Sequence, residues 1–489
     1  MADIILIRPN FGRPFYTHKN FIPLNLLKIA TFIHQEYDVK IIDQIIDKNW
    51  KNHLKKELEK NPLCVGITSM TGKQIYYALE ASKIVKKNSN VPVVWGGIHA
   101  SLLPKQTLEN PYVDILVKGE GEITFYELIK ALDKKKNLKG IKGVWYKEKE
   151  KLKTKPDRHL LNLNLLPKTP YHLINFNKYD LLSIQTSRGC PFRCVYCYNN
   201  IYNKGIYREL STENTIEEIK TLSKFAYKKM IRIVDDNFFV NLNRTKKIIF
   251  ALKREDVEWG IQGIRIDTAC SMNKKWFYLL ESSGLKSMIF GAESGSQRIL
   301  DLLRKRIKVS DTIAINKKLK NVELYPVYNF MIGLPTETKE DLKATINLAL
   351  KLIKDNPHAV SHRFHCFTPY PGTELYYTSI NTRFQPPEKL EDWILYDWSN
   401  LNLPWLSDSE KKQLEAISFC SSFISMNITK KKIREMIKEY QKNNYLGFFR
   451  LILHMLYRSM AICRLKRFYF EYMMENKLDH LYRTRLIDF

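Results

Sequence analysis

The sequence lacks the regular cysteine spacing of a disulfide-stabilised protein. Eight cysteines occur in 489 residues, and five of them are scattered without a pairing rhythm: Cys64, Cys270, Cys366, Cys420 and Cys463. This usage excludes a disulfide framework and is typical of a reducing compartment. The N-terminus also has no basic segment before its first apolar run, which Arg8 interrupts. We therefore expect no signal peptide and a cytoplasmic location.

Acidic residues are scarce relative to basic ones. Lysine and arginine number 79 against 51 aspartates and glutamates, which gives a formal net charge of +28. Such a surplus could attract nucleic acid, an anionic membrane surface or a negatively charged substrate. Because the lysine-rich pieces, such as 134–136 and 430–432, are spread along the chain, we expect no nucleic-acid partner.

The C-terminal region, residues 377–489, lacks the uninterrupted apolar run of about 18 residues that a membrane span needs. Within 448–460, Arg450, His454 and Arg458 recur at every fourth position, which places a polar stripe along a predicted helix. We expect a mainly helical region that packs onto the rest of the molecule. Peripheral contact with a membrane surface, or with a lipid-like substrate, is the alternative.

Three cysteines do lie close together, Cys190, Cys194 and Cys197, in the pattern CxxxCxxC. Iron–sulfur cubes and structural zinc sites usually take four protein ligands, so three thiolates imply a metal with an open coordination position. Chance burial of free cysteines and a zinc site completed by a distant histidine are the alternatives. Zinc sites more often have two CxxC pairs, and Gly189 and Pro191 indicate a turn, so the cluster interpretation is favoured.

The first 135 residues alternate apolar runs with amphipathic stretches. The runs 4–9, 39–43, 64–69, 91–95 and 114–117 are predicted strands with helices between them, which indicates a doubly wound parallel sheet in residues 1–138. Ligands bind beyond the carboxyl ends of such strands. The residues expected there are small or polar: Ser69, Gly96, Gly97, His99, Gly119 and Glu120. Another nucleotide-binding doubly wound fold is the alternative, although residues 119–121 lack the third glycine of a dinucleotide fingerprint.

Residues 139–180 are expected to form a polar hairpin and a proline-containing linker. From residue 181 the strand and helix alternation resumes, with strand ends predicted near residues 187, 234, 266, 290, 330 and 367. Polar motifs follow three of these ends, at 235–238, 291–296 and 331–338. Arg265, at the third end, is expected to be either a ligand contact or a solvated side chain.

The CxxxCxxC loop and the GAESGS segment at 291–296 resemble the radical S-adenosylmethionine (SAM) superfamily. The strand ends of the first domain, with FIPLNLL at 21–27, resemble the cobalamin-binding domain of one large class of these enzymes, often grouped as class B methylases. The resemblance covers residues 1 to about 375. It implies an α/β fold: an N-terminal Rossmann-like, cobalamin-binding doubly wound parallel sheet, a partial (β/α)6 TIM barrel radical SAM core over 181–376, and the helical C-terminal region.

The resemblance also implies a role for each matching residue. Cys190, Cys194 and Cys197 would bind three irons of a [4Fe–4S] cluster whose fourth iron binds SAM. The residues implied to surround SAM are Tyr196, Asp236, Glu293, Ser294 and Gly333. Cobalamin would lie against the predicted sheet-edge residues. Because no DxHxxG motif follows the first strand, cobalamin would bind without a protein histidine ligand.

The function implied is radical methylation of an unactivated carbon in a small-molecule or lipid-like substrate, with a flavodoxin or ferredoxin as electron donor. The same cofactors could instead serve an oxidation, cyclisation or rearrangement without methyl transfer. A methylthiotransferase acting on transfer RNA would need three further cysteines in the N-terminal domain, where this chain has only Cys64. A non-catalytic cobalamin sensor would leave the three-cysteine loop without a purpose.

Overall fold

A computed structural model of the chain describes residues 3–12, 20–149, 151–226, 229–397, 401–425 and 445–468, with the backbone alone for 445–455. In the N-terminal domain the strands are β1 Ile4–Arg8, β2 Val39–Asp43, β3 Cys64–Thr68, β4 Val93–Gly96 and β5 Ile115–Val117. The helices are α1 Leu24–Ile33, α2 Trp50–Leu58, α3 Lys73–Asn88, α4 Ile98–Leu102, α5 Pro104–Glu109 and α6 Glu122–Asp133.

These five strands pair in parallel in the order β2-β1-β3-β4-β5, so the expected doubly wound sheet is confirmed. Alternate residues of each strand pack on opposite faces. Ile5, Ile7 and Val65 join the core under α2 and α3, whereas Ile4 and Leu6 join the core under α1 and α6. The strand order reverses between β1 and β3, which is where doubly wound sheets bind ligands.

The polar stretch after α6 forms two further strands, β6 Val144–Glu148 and β7 Lys151–Lys153. They pair with each other as an antiparallel hairpin, and β6 pairs antiparallel with β5. The N-terminal sheet therefore has seven strands and runs past the predicted boundary at residue 138. Three short 3₁₀ turns follow, Leu163–Leu165, Tyr171–Leu173 and Phe176–Lys178.

The second domain is a partial parallel barrel. Its strands are β8 Leu181–Ile184, β9 Ser187–Arg188, β10 Arg208–Glu209, β11 Met230–Ile233, β12 Trp259–Ile261, β13 Ser287–Glu293, β14 Tyr325–Ile332, β15 Val360–Ser361 and β16 His365–Cys366. Six positions of the barrel follow in parallel: β8, β11, β12, β13, β14, and then β15 with β16. Single bridges join the third position to the fourth, and β9 and β10 form a separate antiparallel ladder.

Helices alternate with the strands of this barrel. They are α7 Asn199–Tyr202, α8 Thr212–Ser223, α9 Leu242–Arg254, α10 Ile266–Ser271, α11 Lys274–Ser282, α12 Gln297–Leu302, α13 Val309–Leu319, α14 Lys339–Asp355 and α15 Glu374–Ile380. The third strand ends at Ile261, earlier than the predicted end near residue 266, because Ile266 already begins α10. The side chain of Asp267 in the first turn of α10 accepts a hydrogen bond from the Thr268 N–H.

The C-terminal region contains a 3₁₀ segment, Leu390–Leu395, and two helices, α16 Asp408–Ser421 and α17 Tyr445–Arg467. The 3₁₀ segment packs against α3 of the N-terminal domain, where Trp393 is fully buried, whereas α17 contacts α14 and α16. Of the predicted polar stripe, the side chains of Arg450 and His454 lie outside the described residues. None of the helices in the described part of the chain has the length and hydropathy of a transmembrane segment.

The first strand of the barrel, β8, contacts the N-terminal domain directly. Phe21 forms a parallel bridge with Leu181, and the Ile22 N–H donates a 3.2 Å hydrogen bond to the Leu181 carbonyl oxygen. The start of β8 therefore lies beside the segment that precedes α1.

Candidate functional site

The three-cysteine loop begins with a glycine that the backbone requires. Gly189 has φ +82°, and a Cβ there would lie 2.0 Å from the Ile206 carbonyl oxygen. All eight cysteines of the chain lie in described residues and are free thiols. Among the described residues, no three acidic, histidine or cysteine side chains are arranged to hold a single ion. Three thiolates that each bind a different iron of a cube do not need to converge on one point.

The surroundings of the cysteines fit a metal cluster. Burial raises the pKa of the Cys190 thiol and raises that of Cys197 to about 11, so positive charge is needed to hold them as thiolates. The Arg265 guanidinium lies 3.7 Å from the Cys194 sulfur and 3.6 Å from the centre of the Phe192 ring. Arg265 is only 7% exposed, so the expectation of a solvated side chain was wrong.

Two adjacent aspartates after β11 have different partners. Asp235 is buried and accepts 2.6 Å hydrogen bonds from the Thr186 N–H, the Thr186 hydroxyl and the Ser187 hydroxyl. Asp236 accepts hydrogen bonds from the Gly189 N–H, at 2.7 Å, and from the Tyr198 hydroxyl, at 2.6 Å. Asp235 therefore fixes the strand before the cysteine loop, whereas Asp236 holds the loop itself.

Tyr196 and Glu293, both predicted SAM contacts, meet in a buried cluster with Lys305. The Glu293 carboxylate lies 2.6 Å from the Lys305 ammonium and accepts a 2.8 Å hydrogen bond from the Tyr196 hydroxyl. Desolvation acts to lower the pKa of Lys305, but the charges of Glu293 and Cys194, together with the hydrogen bond to Glu293, outweigh it and the pKa is raised. A Cβ on Gly291 would lie 2.4 Å from the Glu293 carboxylate, so a larger residue at 291 would displace this pair.

Ser294 and Gly333 are placed by backbone geometry. The Ser294 hydroxyl is buried 2.9 Å from the Thr345 hydroxyl, so it joins β13 to α14 and does not face an open site. Gly333 has φ +77°, and its N–H donates a 2.6 Å hydrogen bond to Glu337. Burial raises the pKa of Glu337 to about 8 despite the two N–H groups that it accepts from.

At the edge of the N-terminal sheet, some of the predicted contact residues line a cavity and others turn into the protein. Gly96, Gly97 and Gly119 line a cavity, as does Glu120. Ser69 and His99 do not, although both were predicted cobalamin contacts. The Ser69 hydroxyl donates to the Gly96 carbonyl, and the fully buried His99 ring lies between Thr71, at 2.9 Å, and Trp393. Desolvation lowers the pKa of His99 to about 3, so its ring is neutral.

Glu120 belongs to an ion-pair network that joins the two domains. Its carboxylate lies 2.8 Å from both Arg188 and Arg208 and accepts a hydrogen bond from the Leu161 N–H, while Glu122 pairs with the other side of Arg188. Desolvation acts to raise the pKa of Glu120, but the two arginines hold it below its ordinary value. All of its oxygens are therefore engaged, and the predicted ligand contact becomes a domain contact beside the cysteine loop.

A cavity of about 940 Å³ lies between the sheet edge and the barrel. From the sheet side it is lined by Gly66, Thr68, Trp95, Gly96, Gly97, Gly119 and Gly121, and from the barrel side by Ser183, Tyr198, Arg232, Asp236 and Gln262. A Cβ on Gly119 would meet nothing within 4 Å, so this glycine leaves open space for a ligand. Among the predicted SAM contacts only Asp236 lines the cavity; the others lie outside it.

Sequence reasoning missed Lys305, Arg208, Tyr198 and Glu337. Lys305 and Glu337 become distinctive only through burial, which the sequence does not display. Arg208 meets Glu120 across 88 residues of chain. Tyr198 could have been found from the sequence. It directly follows the last cysteine, and its hydroxyl can form a hydrogen bond near the loop.

Comparison with known proteins agrees with this geometry. Residues 184–349 match a family model described as the radical SAM superfamily, and residues 18–129 match one described as a B12 binding domain. The uncharacterized methyltransferase PH0819 of Pyrococcus horikoshii is 38% identical over 369 residues, which span 73% of this chain and 78% of that protein. The cytidylyl-2-hydroxyethylphosphonate methyltransferase of Streptomyces wedmorensis is 23% identical, with 86% and 89% covered.

Solved structures share the fold. The cobalamin-dependent SAM radical enzyme OxsB aligns with a TM-score of 0.68 at 18% identity and covers 99% of this chain and 75% of its own. The methyltransferase TsrM from Kitasatospora setae aligns with a TM-score of 0.64 at 17% identity, over 79% of this chain and 76% of its own.

Fold and site thus define a radical SAM enzyme with an N-terminal B12-binding domain. The chain belongs to the family of cobalamin-dependent radical SAM methyltransferases. The expected cofactors, a [4Fe–4S] cluster, SAM and cobalamin, are those of the two domains that it combines.

Proposed function

We propose that this enzyme methylates an unactivated carbon of a small-molecule substrate by radical chemistry. The observation that carries the proposal is the cavity of about 940 Å³, because it runs from Tyr198 and Asp236 at the cysteine loop to Gly96, Gly97 and Gly119 at the sheet edge. A substrate in this space would be within reach of both cofactor sites at once, and such positioning accelerates a reaction between bound groups. The methyltransferase names of two relatives support the same reaction class.

Each cofactor has candidate residues in this chain. Cys190, Cys194 and Cys197 would hold the cluster. Tyr196, Asp236, Glu293, the backbone of Ser294 and the Gly333 turn would surround SAM. Gly96, Gly97 and Gly119 would lie against cobalamin, and the burial of His99 favours a cobalamin without a protein histidine ligand. When bound, the cluster with SAM supplies a hydrogen-abstracting radical and cobalamin supplies a methyl group.

The protein's own contribution is positioning and exclusion of water. Asp236 and Tyr198 hold the cysteine loop, and Arg265 places positive charge beside Cys194. Apolar side chains such as Phe21 and Trp95 line the cavity and keep reactive groups away from solvent. The network around Arg188 fixes the sheet-edge loop against the cysteine loop, so the two cofactor sites keep one separation.

Anaerobic reconstitution with iron, sulfide and cobalamin, followed by reduction and addition of SAM, tests the proposal. We expect both 5′-deoxyadenosine and S-adenosylhomocysteine, because SAM would serve as radical source and as methyl donor. A filled cluster that yields no 5′-deoxyadenosine would contradict the radical step.

An oxidation, cyclisation or rearrangement is the second candidate. A relative named anaerobic magnesium-protoporphyrin IX monomethyl ester cyclase, from Cereibacter sphaeroides, is 26% identical over 386 residues. Its name supports a cyclisation as the second candidate. It predicts 5′-deoxyadenosine without S-adenosylhomocysteine, so the same assay separates the two reactions.

The partners follow from the chemistry. A flavodoxin or ferredoxin would reduce the cluster, and a reducing cytoplasm would suit eight free thiols. Peripheral membrane contact through the C-terminal region stays a prediction; co-sedimentation with anionic vesicles would test it.

A further inference from the structure

The charged residues that line the cavity are paired with one exception. They are Arg8, Lys28, Glu120, Glu122, Arg188, Arg232 and Asp236. Arg8 pairs with Asp43, and Lys28 pairs with Glu218. Arg188 pairs with both glutamates, and Asp236 accepts two hydrogen bonds. The guanidinium of Arg232, in contrast, has no hydrogen bond and no ion pair with any residue that the structure describes.

Arg232 lies on β11, inside the barrel. Its neighbours in register are Ser183 on β8 and Gly260 on β12, so no acidic residue flanks it. Ser183 and Gln262 line the cavity beside it and offer neutral hydrogen-bonding groups. Desolvation lowers the pKa of Arg232, which records the cost of placing a guanidinium there without a counter-ion. An arginine stays charged in such a place, so the protein keeps an uncompensated positive charge.

His362 adds no second charge to this part of the barrel. Its Nδ1 lies 2.7 Å from the Asn329 side-chain oxygen, and desolvation by the surrounding protein, together with the charge of Arg232, lowers its pKa. The inner wall therefore presents one fixed positive charge with neutral polar neighbours.

We propose that Arg232 binds an anionic group of the substrate, a carboxylate or a phosphate. The inference rests on the proposed function, because it places the substrate in the cavity between the two cofactor sites. The planar fork of a guanidinium matches both groups by two parallel hydrogen bonds. Arg232 lies within β11, one residue before the strand ends at Ile233, whereas Asp236 lies beyond that end, where SAM is expected. The sheet-edge glycines line the other side of the cavity, so Arg232 is left for the substrate.

The test uses the full chain reconstituted with its cluster and cobalamin, with SAM bound and the cluster kept oxidised so that SAM is not cleaved. In this state the anionic groups of both cofactors are already placed. Inorganic phosphate and acetate are the probes, and calorimetry measures their binding. We expect Arg232→Met to weaken binding of the preferred probe by more than about tenfold, since hydrogen bonds to a charged group are lost. Arg232→Lys should retain part of it.

Arg254→Met, which removes an exposed arginine of α9, is the matched control and should leave probe binding unchanged. Equal binding of both probes by wild type and Arg232→Met would overturn the proposal. A loss of SAM affinity or of cobalamin retention in Arg232→Met would overturn it too, since the anion would then belong to a cofactor. These readouts need no turnover. If the wild-type enzyme forms no 5′-deoxyadenosine yet binds phosphate through Arg232, the proposed reaction fails while the anion site stands.

Discussion

The sheet edge of the N-terminal domain and the strand ends of the barrel face one cavity but are built from different materials. Glycines and neutral side chains line most of the sheet edge, and the carboxylates of its acidic loop form ion pairs with arginines of the other domain. The barrel instead gathers thiols, carboxylates and buried cations around the cysteine loop. We therefore expect a ligand at the sheet edge to be selected by shape, and a ligand at the strand ends by charge and by metal ligation.

Removing one thiol should have the largest effect, and it should affect the barrel site without affecting the sheet edge. We expect Cys194→Ala to abolish cluster assembly and 5′-deoxyadenosine formation, because a cube cannot replace a missing ligand at this loop. Cobalamin binding should persist, since the sheet edge contains none of the cysteines of the loop. Iron and sulfide content, together with the absorbance of bound cobalamin, measure both outcomes. Loss of cobalamin in this variant would mean that the two regions are not independent.

The buried pair Glu293 and Lys305 tests whether the stability of the barrel and its affinity for SAM depend on charge. Both side chains are at most 10% exposed, so Glu293→Gln would leave an ammonium without its counter-ion and destabilise the domain by about 3 kcal/mol. Urea unfolding measures the loss. The double variant Glu293→Gln with Lys305→Met should recover most of the stability but not the affinity for SAM. If the double variant binds SAM normally, Glu293 has a structural role alone.

A single methyl group should test shape selection at the sheet edge. Gly119→Ala would add a Cβ in open space beside the cavity, at φ +79°, so it costs the fold about 1–2 kcal/mol and takes ligand volume. We expect cobalamin affinity to fall about tenfold while SAM affinity stays unchanged, a difference worth about 1.4 kcal/mol. Gly140→Ala is the control, because its Cβ would also meet nothing but lies outside the cavity. Equal effects of the two substitutions would contradict the shape argument.

The same contrast explains which parts of the molecule the sequence reveals. The five parallel strands were predictable because each is a short apolar run between turn residues, and the cysteine loop because its spacing is local. At the strand ends of the barrel Asp236 lines the cavity and Glu293 pairs with Lys305, and both lie at motif positions that the sequence displays. At the sheet edge the glycines line the cavity, while the polar residues Ser69 and His99 turn into the protein. A sequence does not display that choice, because the Ser69 hydroxyl bonds a neighbouring strand and the His99 ring packs against Trp393, nearly 300 residues away.

The pH dependence of stability should have opposite signs in the two regions. Burial lowers the pKa of His99, at the sheet edge, to about 3. Below about pH 6.5 its imidazole is therefore protonated in the unfolded state but not in the folded state. Stability from this residue is lost as the pH falls from about 6.5 toward 3. Glu337, at the strand ends, has its pKa raised to about 8 by burial, so its stability is lost as the pH rises from about 4.5 through 8.

Substitution separates these two contributions. His99→Gln should flatten the acid side of the stability profile, and Glu337→Gln should flatten the alkaline side, as measured by urea unfolding between pH 5 and pH 9. Each variant should leave the opposite limb unchanged, because the two residues lie in different domains with no shared partner. If Glu337→Gln alters the acid limb as much as the alkaline one, the two regions are coupled through more than the Arg188 network. The two regions could then not be treated as separate, one selecting ligands by shape and the other by charge.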